Sequence, residues 1–516
     1  MASTSAPPSS RLYRRPTAAR PHVGVRFGHG VASGDPLTDR VVLWTRVTTD
    51  QLSVPVGWVI ARDEALTDVV ARGTAIAHAD DDHTVHVDAG GLEPGTTYYY
   101  RFTRGASFSP IGRTKTLPDG GERVRFAFCS CAKYNAGFFN AYARIAEHEQ
   151  LDFLLHLGDY IYEASNTPPK SQTPGADIGR PFEPLEECRT LADYRRRYAQ
   201  YRRDPDVQRL HQQLPMIATL DDHELADGAW AGGSSEHDAD RHGPWDERRD
   251  AALQARWEWL PARAPDPRDR TRVFRTVSVG GLVDIALLDI RSRRDEPVRE
   301  PAMSEPGRTM LGPEQRDWLL RELEASDAAW RIVATPSVFT RTWCDDPQEP
   351  LQTALAKLKL IDEDGAGPDH DQWDGYPAER ARLTGHLRDR AIEDVVFLSA
   401  DIHVSVAAVV TDEPSGQPVG VELTAPSLTS QNLDDKLGVR PRDPRIVRSE
   451  EAYVAAHDHV DWCEMAGHGF VVVDVAPDRV RGEWWHVDTV LERGRGAGLA
   501  AAYDAPRGEP RLLRAA

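Results

Sequence analysis

The sequence predicts an α/β layered domain preceded by a small antiparallel β-sandwich, and three observations indicate this fold class. Residues 25–118 contain short alternating runs separated by Gly, Pro and Asp turns. Residues 122–490 alternate apolar, strand-like runs with segments whose apolar residues recur at helical spacing. The apolar runs of this second part end on polar side chains, where sheets covered on both faces usually hold their ligands.

Both ends of the chain are predicted to be loosely ordered. Residues 1–24 are rich in Pro and Ser, and the pair Arg14 and Arg15 is not followed by the apolar segment of a secretory signal. Residues 491–516 are rich in Gly, Ala and Arg, a composition typical of mobile termini. We therefore expect a flexible leader over 1–24, a fibronectin- or Ig-like sandwich over 25–118, an α/β domain over 122–490 and a flexible tail over 491–516.

The N-terminal sandwich is predicted from strands that have one buried face. The runs "RVVLWTRV" (40–47), "TVHVDAGGL" (84–92) and "TTYYYRF" (96–102) alternate apolar and polar residues. The segment that leads into the last run resembles the turn-and-strand pattern of fibronectin-type sandwiches, in which Tyr98 or Tyr100 packs inward. We interpret this region as structural.

The second part begins with a βαβ unit. The runs "RVRFAFCSC" (123–131) and "LDFLLHLGDYIYE" (151–163) flank a segment with Phe138, Tyr142 and Ile145 at helical spacing. The same alternation returns three times. It returns in "LVDIALLDIR" (282–291), in "GPEQRDWLLRELEASDAAWRIVATPSVF" (312–339) and in "AERARLTGHLRDRAIEDVVFLSADIHVS" (378–405). The hairpin "GFVVVDVAPDRVRGEWWHVD" (469–488) is expected to close an edge of the sheet.

Composition and charge exclude several classes of partner. The chain has 516 residues, 40% hydrophobic and 28% charged, which suffices for a large core and a smaller domain. Its 62 basic and 81 acidic residues give a formal net charge of −19, which repels nucleic acid and anionic membranes. We expect no nucleic-acid-binding surface and no membrane span, and the oligomeric state stays open. The five cysteines are an odd number and are expected to be mostly reduced, with one as a ligand.

Polar residues that can bind metals follow four of the predicted strands. They are Cys129, Asp159, Tyr162, Asp222, His223, Asp401 and His403. Four strand ends that all carry carboxylate, thiol, phenol or imidazole groups are hard to explain by packing. A metal site at the carboxyl edge of the sheet explains them together.

The chemistry of these side chains predicts two different metal ions. Thiolate, phenolate and imidazole ligands favour a strongly Lewis-acidic ion, and phenolate in particular favours ferric iron over magnesium or calcium. Asp222, Asp401 and a shared oxygen of Asp159 offer only hard oxygen donors, which suit Ca²⁺, Mn²⁺ or Mg²⁺. We therefore expect Fe(3+) in one site and a hard divalent ion in the other.

Eight segments match one known family in order along the chain. They read "FGHGVASGDPLTDRVVLWTRV", "FAFCS", "LLHLGDYIYE", "TLDDHE", "LGPEQRDWL", "WDGYPAERARL", "FLSADIHVS" and "ELTAPSLTS". With them the chain resembles the alkaline phosphatase D (PhoD-type) family of calcineurin-like metallophosphoesterases, from Phe27 to Val487. The order of the segments makes the match specific, whereas Gly-Asp-x-x-Tyr by itself is a weak signal.

The resemblance implies a fold, two metals and a set of site residues. The implied fold of residues 122–490 is a metallophosphoesterase α/β sandwich that forms the catalytic domain. The implied ligands of ferric iron are Cys129, Asp159, Tyr162 and His403. The implied ligands of calcium are Asp159, Asp222 and Asp401. His223 matches the histidine that faces the substrate in the family, and it is therefore the candidate catalytic residue.

The chain departs from the family pattern at two positions. Ala400 stands where the family usually has Gly, which we expect to matter little because a methyl group occupies little space. Asp227 stands where the family has Asn, and its charge near the metals is expected to alter substrate preference or the second ion. The twin-arginine signal usual in the family is not recognisable here, so the expectation is a cytoplasmic chain or one that lacks its N-terminal signal.

Several candidates also have a purely structural interpretation. Cys129 can be a small buried apolar residue, which is the default for an intracellular cysteine, and we interpret Cys131 as structural. The basic run "DYRRRYAQYRRD" (193–204) is most simply a solvated helix face. The segment "AAHDHVDW" leaves open whether His457 or Asp458 reaches the rim of the site.

We predict from these observations a metal-dependent hydrolase of phosphate esters. Bound cations neutralise the phosphate oxygens and lower the pKa of a water from about 15.7 towards neutrality, so that hydroxide attacks phosphorus. His223 is expected to act on the leaving oxygen or a nonbridging one as acid or hydrogen-bond donor. Monoesters and diesters both stay open. The alternatives are a phosphodiesterase dedicated to lipid or wall polymer, and a noncatalytic binding protein with a decayed site.

Overall fold

The computed structural model describes residues 24–148, 150–166, 178–264, 269, 271–361 and 367–515. The predicted leader, residues 1–24, lies outside the described residues except for its last position. None of the helices in the described part combines the length and the apolar character that crossing a membrane requires.

The described residues form strands and helices that follow one another along the whole chain. The first strands are β1 (Val31–Gly34), β2 (Arg40–Arg46), β3 (Ser53–Ala61), β4 (Val69–His78), β5 (Thr84–Gly90), β6 (Thr97–Arg104), β7 (Ser107–Phe108) and β8 (Gly112–Lys115). The next are β9 (Val124–Cys129), β10 (Phe153–His156), β11 (Pro215–Ala218), β12 (Arg275–Val279), β13 (Val283–Leu287), β14 (Trp330–Ala334) and β15 (Val395–Ser399). The last are β16 (Ser405–Asp412), β17 (Gln417–Thr424), β18 (Val460–Glu464), β19 (Gly469–Ala476), β20 (Arg479–Val487), β21 (Ala497–Pro506) and β22 (Leu513–Arg514). The helices are α1 (Asn140–Glu147), α2 (Leu191–Arg203), α3 (Pro205–Gln213), α4 (Ala239–His242), α5 (Trp245–Trp259), α6 (Gly312–Ala325), α7 (Leu351–Leu358), α8 (Pro377–Asp389), α9 (Leu433–Leu437) and α10 (Pro444–Ala456).

Two large sheets form the centre of the molecule. The larger has ten strands in the order β22-β21-β20-β19-β9-β10-β11-β1-β2-β5, and the other has seven in the order β12-β13-β14-β15-β17-β16-β18. Apolar side chains from both sheets, such as Phe126 and Leu155 from one and Ile285 and Val396 from the other, share one core. The two sheets therefore pack face to face, as a sandwich does.

Helices cover the outer faces of both sheets. Helices α1, α2, α3 and α5 share an apolar core with the outer face of the ten-stranded sheet. Helices α6 and α8 share another with the outer face of the seven-stranded sheet. The result is a four-layered α/β fold, so the predicted fold class is confirmed.

Parallel neighbours occupy the middle of each sheet. In the ten-stranded sheet β10 pairs in parallel with β9 and with β11. In the seven-stranded sheet β15 pairs in parallel with β14. The carboxyl ends of β9, β10 and β11 therefore lie side by side, at the edge where ligand sites of such sheets occur.

The N-terminal strands are joined to the large sheet more closely than we expected. Strand β1 pairs in parallel with β11, so β1, β2 and β5 continue the ten-stranded sheet. Strands β3, β4, β6, β7 and β8 form a separate five-stranded sheet. Residues of both groups, including Val41, Val54 and Tyr100, share one apolar core. The predicted boundary between 118 and 122 stays a prediction.

The expectation of a flexible tail over 491–516 is wrong for most of that segment. Strand β21 pairs antiparallel with β20 from Ala497 to Pro506, and β22 pairs with β21. Ala501, Tyr503 and Ala505 belong to the core between the large sheets. Because β20 offers an open row of backbone groups, ladder pairing and burial override the weak strand propensity of Ala and Gly. The hairpin β19–β20 consequently lies inside the sheet and does not close its edge.

Candidate functional site

The predicted site residues follow the carboxyl ends of strands that the fold brings together. Asp159 follows β10, Asp222 follows β11 and Asp401 follows β15. The loop after β10 approaches the loop after β11 at Gly158, whose φ is +109°. A Cβ atom on Gly158 would lie 2.3 Å from the backbone nitrogen of Asp221, so only glycine permits this approach.

Several residues of the same loops have a left-handed backbone conformation. Cys131, Asp159, Asp401 and His403 all adopt left-handed conformations, with φ of 62°, 56°, 70° and 60°. Non-glycine residues adopt this region at a cost, and such residues cluster at ligand sites. The loops that carry Asp159 and Asp401 are therefore held in an unfavourable conformation, and the carboxylates of these two residues lie at a common point.

Four carboxylates lie at this point, and we call them the carboxylate floor. They are Asp159, Asp221, Asp222 and Asp401, and one oxygen of each lies within 4.8 Å of the others. Burial raises the pKa of Asp159 well above its usual value, and the charge of Asp222 adds to the effect although His223 opposes it. Burial likewise raises the pKa of Asp221, with Asp401 adding to it and Arg291 opposing it.

The carboxylate floor fits a bound cation. Oδ1 of Asp222 and Oδ2 of Asp221 are buried and have no hydrogen-bond partner among the described residues. An unsatisfied buried carboxylate oxygen is costly unless a cation or a proton neutralises it. The donors are all oxygens, which hard divalent ions prefer.

Tyr162 lies beside the carboxylate floor. Its hydroxyl donates to Oδ2 of Asp159 at 2.7 Å and accepts from the hydroxyl of Ser430 at 2.6 Å. Burial, and then the charge of Asp159, raises the pKa of the phenol well above its usual value. A phenolate at this position therefore requires a bound cation.

The structure places the thiols of Cys129 and Cys131 in different surroundings. Cys129 is the last residue of β9, lies in the apolar core on the helix side, and has its pKa raised by burial alone. Cys131 is also fully buried, and the pKa of its thiol is raised by burial and then by the charges of Asp159 and Asp401. The thiol next to the carboxylate floor is thus that of Cys131, because the chain turns at its positive φ after the strand ends.

His403 lies on the loop that carries Asp401. Its Nδ1 contacts the carbonyl oxygen of Gln431 at 2.9 Å, which leaves Nε2 for another partner. Burial, and then the charge of Lys436, lowers the pKa of His403 well below its usual value, so the ring is neutral, as metal ligation requires. Among the described residues, His403 does not belong to the groups whose ligand atoms all lie within 4.8 Å of one another.

His223 lies at the floor and is held by a residue that sequence reasoning missed. Its Nδ1 lies 2.7 Å from Oε2 of Glu163, and its ring centroid lies 3.9 Å from that of Tyr162. Burial opposes the charging of His223, but the charges of Glu163, Asp159 and Asp222 outweigh it and raise its pKa well above the usual value. His223 also lies within 4.8 Å of Asp159 and Asp222, so it is close enough to bind a metal.

A buried arginine cross-links the acids, and sequence reasoning missed it as well. Arg291 is fully buried; its Nε contacts Oδ1 of Asp221, and its Nη2 donates to Oδ2 of Asp401 at 3.0 Å. Its Nη1 donates to Asp371 at 2.7 Å, and Asp371 also accepts from Arg294 at 2.6 Å. The sequence contained a signal for Arg291, because this residue follows the apolar run of β13 in the same way as the acids follow the apolar runs of their own strands.

Two further groups hold the loop from Asp159 to Tyr162. The carboxylate of Glu224 accepts hydrogen bonds from the backbone N–H groups of Asp159, at 2.9 Å, and Tyr160, at 2.6 Å. Arg197 of α2 is fully buried and donates to the carbonyl oxygens of Tyr162 and Ala164. The interpretation of the basic run as a solvated helix face is therefore wrong for Arg197.

The two departures from the family pattern lie at the site. The backbone N–H of Asp227 donates to Glu163 at 2.8 Å, and its carboxylate is the main cause of the raised pKa of Lys359. Ala400 is buried, and its N–H donates to the carbonyl oxygen of Pro336 at 2.9 Å. Farther away, His457 is buried against Tyr453, with Nδ1 2.8 Å from the carbonyl oxygen of that residue.

Comparisons of the sequence with protein families agree with this geometry. Residues 126–484 match the model of the PhoD-like phosphatase, and residues 14–118 match that of the PhoD-like phosphatase N-terminal domain. The chain is 34% identical to alkaline phosphatase D of Bacillus subtilis (strain 168), a match that covers 92% of this chain and 80% of that protein.

Comparisons of the fold give the same family and a wider relative. The solved structure of PhoD superposes with a TM-score of 0.83 at 31% identity, over 95% of this chain and 92% of that one. A purple acid phosphatase from yellow lupin (Lupinus luteus) seeds superposes with a TM-score of 0.51 at 11% identity, over 94% and 72% of the two chains. The second likeness concerns the fold alone.

Proposed function

Because the chain belongs to the PhoD-like phosphatase family and is a phosphoric ester hydrolase, we propose that it hydrolyses its substrate at the carboxylate floor with two bound metal ions. The observation that carries this proposal is the pair of buried, unpartnered oxygens on Asp221 and Asp222. They lie where four carboxylates converge at the ends of the strands. Family membership favours a hydrolase over the noncatalytic alternative.

The donor set supports two different metals. Asp159, Tyr162, His403 and a thiol would hold ferric iron, and we now assign the thiol to Cys131 instead of Cys129 because of its place beside Asp159. Asp159, Asp222 and Asp401 would hold calcium, manganese or magnesium. When bound, these ions would neutralise the phosphoryl oxygens and activate a water.

Other residues of the chain orient the metal ligand Asp401 and act on the leaving group. Arg291 and Gln372 both donate to Oδ2 of Asp401, at 3.0 and 2.5 Å, and so fix the orientation of that carboxylate. Glu163 holds Nδ1 of His223, which leaves Nε2 to face the substrate. Since nearby acids favour the protonated ring, His223 supplies a proton or a hydrogen bond to the leaving oxygen.

The experiment that tests the proposal is removal and replacement of the hard divalent ion. Chelation is expected to abolish turnover of a phosphate ester while iron stays bound, and added Ca²⁺, Mn²⁺ or Mg²⁺ is expected to restore it. Turnover that is indifferent to chelation would contradict the second site.

Tyr162 gives a separate test of the iron site. A phenolate bound to ferric iron absorbs visible light, so the purified protein is expected to be coloured and Tyr162→Phe to lose that band. Unchanged absorption in this variant would remove Tyr162 from the ligand set. A panel of mono- and diesters, including a lipid and a wall-polymer diester, then decides the preference between them.

A further inference from the structure

Lysine is rare in this chain and is concentrated at one place. Only six of the 62 basic residues are lysines. Of these, Lys115 pairs with Asp152, Lys357 is exposed on α7, and Lys170 lies outside the described residues. The other three, Lys133, Lys359 and Lys436, come from separate segments, and each lies close enough to the carboxylate floor to interact with the charge of one of its acids. We call these three residues the lysine rim.

Lys133 lies directly beside the floor. Its ammonium nitrogen is 5.5 Å from the centroid of the Tyr162 ring, whose hydroxyl contacts Asp159. Its carbonyl oxygen accepts a hydrogen bond from the hydroxyl of Thr429 at 2.9 Å, which ties it to the loop that leads into α9.

Lys359 and Lys436 approach from two helices that pack together. Lys359 ends α7 in a left-handed conformation, and its N–H donates to the carbonyl oxygens of the last turn. Lys436 lies on α9, and Leu355 of α7 and Leu433 of α9 belong to one apolar cluster. Burial, followed by the charges of Lys359 and Lys133, lowers the pKa of Lys436 to about 8, so the three charges act on one another.

Acids of the site, Asp227 most strongly, act on the charges of Lys133 and Lys359, but the described residues pair none of the three lysines directly. Within the described part of the chain, no carboxylate oxygen lies within 4.0 Å of any of the three ammonium groups, so none forms an ion pair there, whereas the ammonium group of Lys115 does. The three ammonium groups also repel one another, and an anion that binds between them relieves this repulsion. The chain as a whole carries a net charge of −19, so three lysines this close together are a local exception.

We propose that the lysine rim is a subsite for a second anionic group of the substrate. This inference rests on the proposed function, because the scissile phosphate occupies the carboxylate floor with its metals. The substrate class is then a phosphate ester that carries another phosphate or a carboxylate a short spacer away. The ammonium nitrogen of Lys133 lies 5.5 Å from the centre of the Tyr162 ring, and the hydroxyl of that ring contacts Asp159 of the floor, so a short spacer is enough to join the two anionic groups.

The test compares two esters that share the scissile bond. They are 3-hydroxypropyl phosphate and 1,3-propanediol bisphosphate. Because the bisphosphate offers two equivalent phosphates, its measured kcat/KM is divided by two before the two esters are compared. The wild type is expected to prefer the bisphosphate about tenfold, the lower end of what charge-assisted hydrogen bonds supply. A third ester carries a carboxylate in place of the second phosphate, at the same distance from the scissile bond. Its kcat/KM shows whether the subsite selects phosphate or accepts anions in general.

The variants Lys359→Met and Lys436→Met are expected to lose most of this preference, with a larger loss on the bisphosphate than on the monophosphate. Lys357→Met is the matched control, since this residue lies two positions from Lys359 and is exposed. It is expected to keep the wild-type preference. Metal content per chain is measured for each variant.

Three outcomes would overturn the inference. Equal kcat/KM for the two esters in the wild type would show that there is no second subsite. Equal losses on both esters in the variants would show that the lysines bind the scissile phosphate, and metal loss would show that they serve the floor. Turnover of neither ester and of no phosphodiester would instead contradict the proposed function, and this inference with it.

Discussion

The carboxylate floor and the lysine rim lie side by side but are held in opposite ways. Three of the four floor carboxylates are buried, and the partly buried Asp401 is held by Arg291 and Gln372. Lys359 of the rim is exposed and has no ion pair among the described residues. A rigid floor suits chemistry that is common to all esters, and a rim that forms no ion pair among the described residues suits selection among them. Substitutions in the floor should therefore lower the turnover of all esters alike, whereas substitutions in the rim should lower that of some esters more than others.

The largest effect is expected from Asp222→Asn. One of its oxygens has no hydrogen-bond partner in the described structure, so this carboxylate is the clearest candidate for a metal ligand. Cations on the phosphoryl oxygens supply several kcal/mol, so turnover should fall about 10³-fold or more. The loss should be equal for an alkyl monophosphate and the bisphosphate.

The control for this variant is Asp246→Asn, an exposed acid on α5 that pairs only with Arg249 in the described structure. It should change neither turnover nor metal content. Asp222→Asn that keeps both metals and most of its activity would contradict the role of the floor.

A pair of cysteine variants sharpens the description of the floor. Cys131→Ser should lose iron and the visible band, because its thiol lies beside Asp159. Cys129→Ser should keep both and lower thermal stability instead, since a hydroxyl buried in an apolar core costs about 1–3 kcal/mol. The measurements are iron per chain and the visible spectrum of the folded proteins. The reverse result would restore Cys129 as the ligand.

His223→Ala should give a smaller loss that depends on the leaving group. An alkoxide needs a proton to leave, so turnover of an alkyl phosphate should fall about 10²- to 10⁴-fold. Nitrophenyl phosphate has a good leaving group and should lose clearly less. Equal losses on the two substrates would favour a positioning role, and loss of a metal would show that His223 is a ligand, which its distance from Asp159 and Asp222 permits.

The smallest effect is expected from Glu163→Gln. Glu163 touches His223 and the backbone of Asp227 and therefore acts through His223. The loss on an alkyl phosphate should be about tenfold, with the same leaving-group signature as His223→Ala. The double variant should be no worse than His223→Ala alone, because residues that act as a unit are not additive. Additive losses would show that Glu163 works independently of His223.

The main acids of the floor could be predicted because strand ends are visible in a sequence. Apolar runs that stop at Gly-Asp or Asp-His identify the ends of β10 and β11, and parallel strands bring such ends together. Arg291 also follows an apolar run, that of β13, but it was not predicted as a site residue because its positive charge gave no reason to group it with the acids. Glu163 and Glu224 could not be assigned because their partners are backbone and imidazole groups of other loops.

The position of the Cys131 thiol and the pairing of the C-terminal strand β21 could not be predicted from the sequence pattern. Cys129 and Cys131 are two positions apart, so strand alternation puts them on the same face, and only the turn at Cys131, with φ of 62°, sends its thiol elsewhere. Strand β21 is rich in Ala and Gly and has weak strand propensity of its own. The position of β21 depends on its pairing with β20, which the local sequence of β21 does not reveal.

The most direct test of the account is metal content and turnover measured on one preparation of the wild-type protein. The account predicts two metal ions per chain, one of them iron, and turnover of a phosphate ester that rises in proportion to the fraction of chains holding both. Full turnover by a preparation without bound metal would contradict the central claim that the carboxylate floor acts through cations.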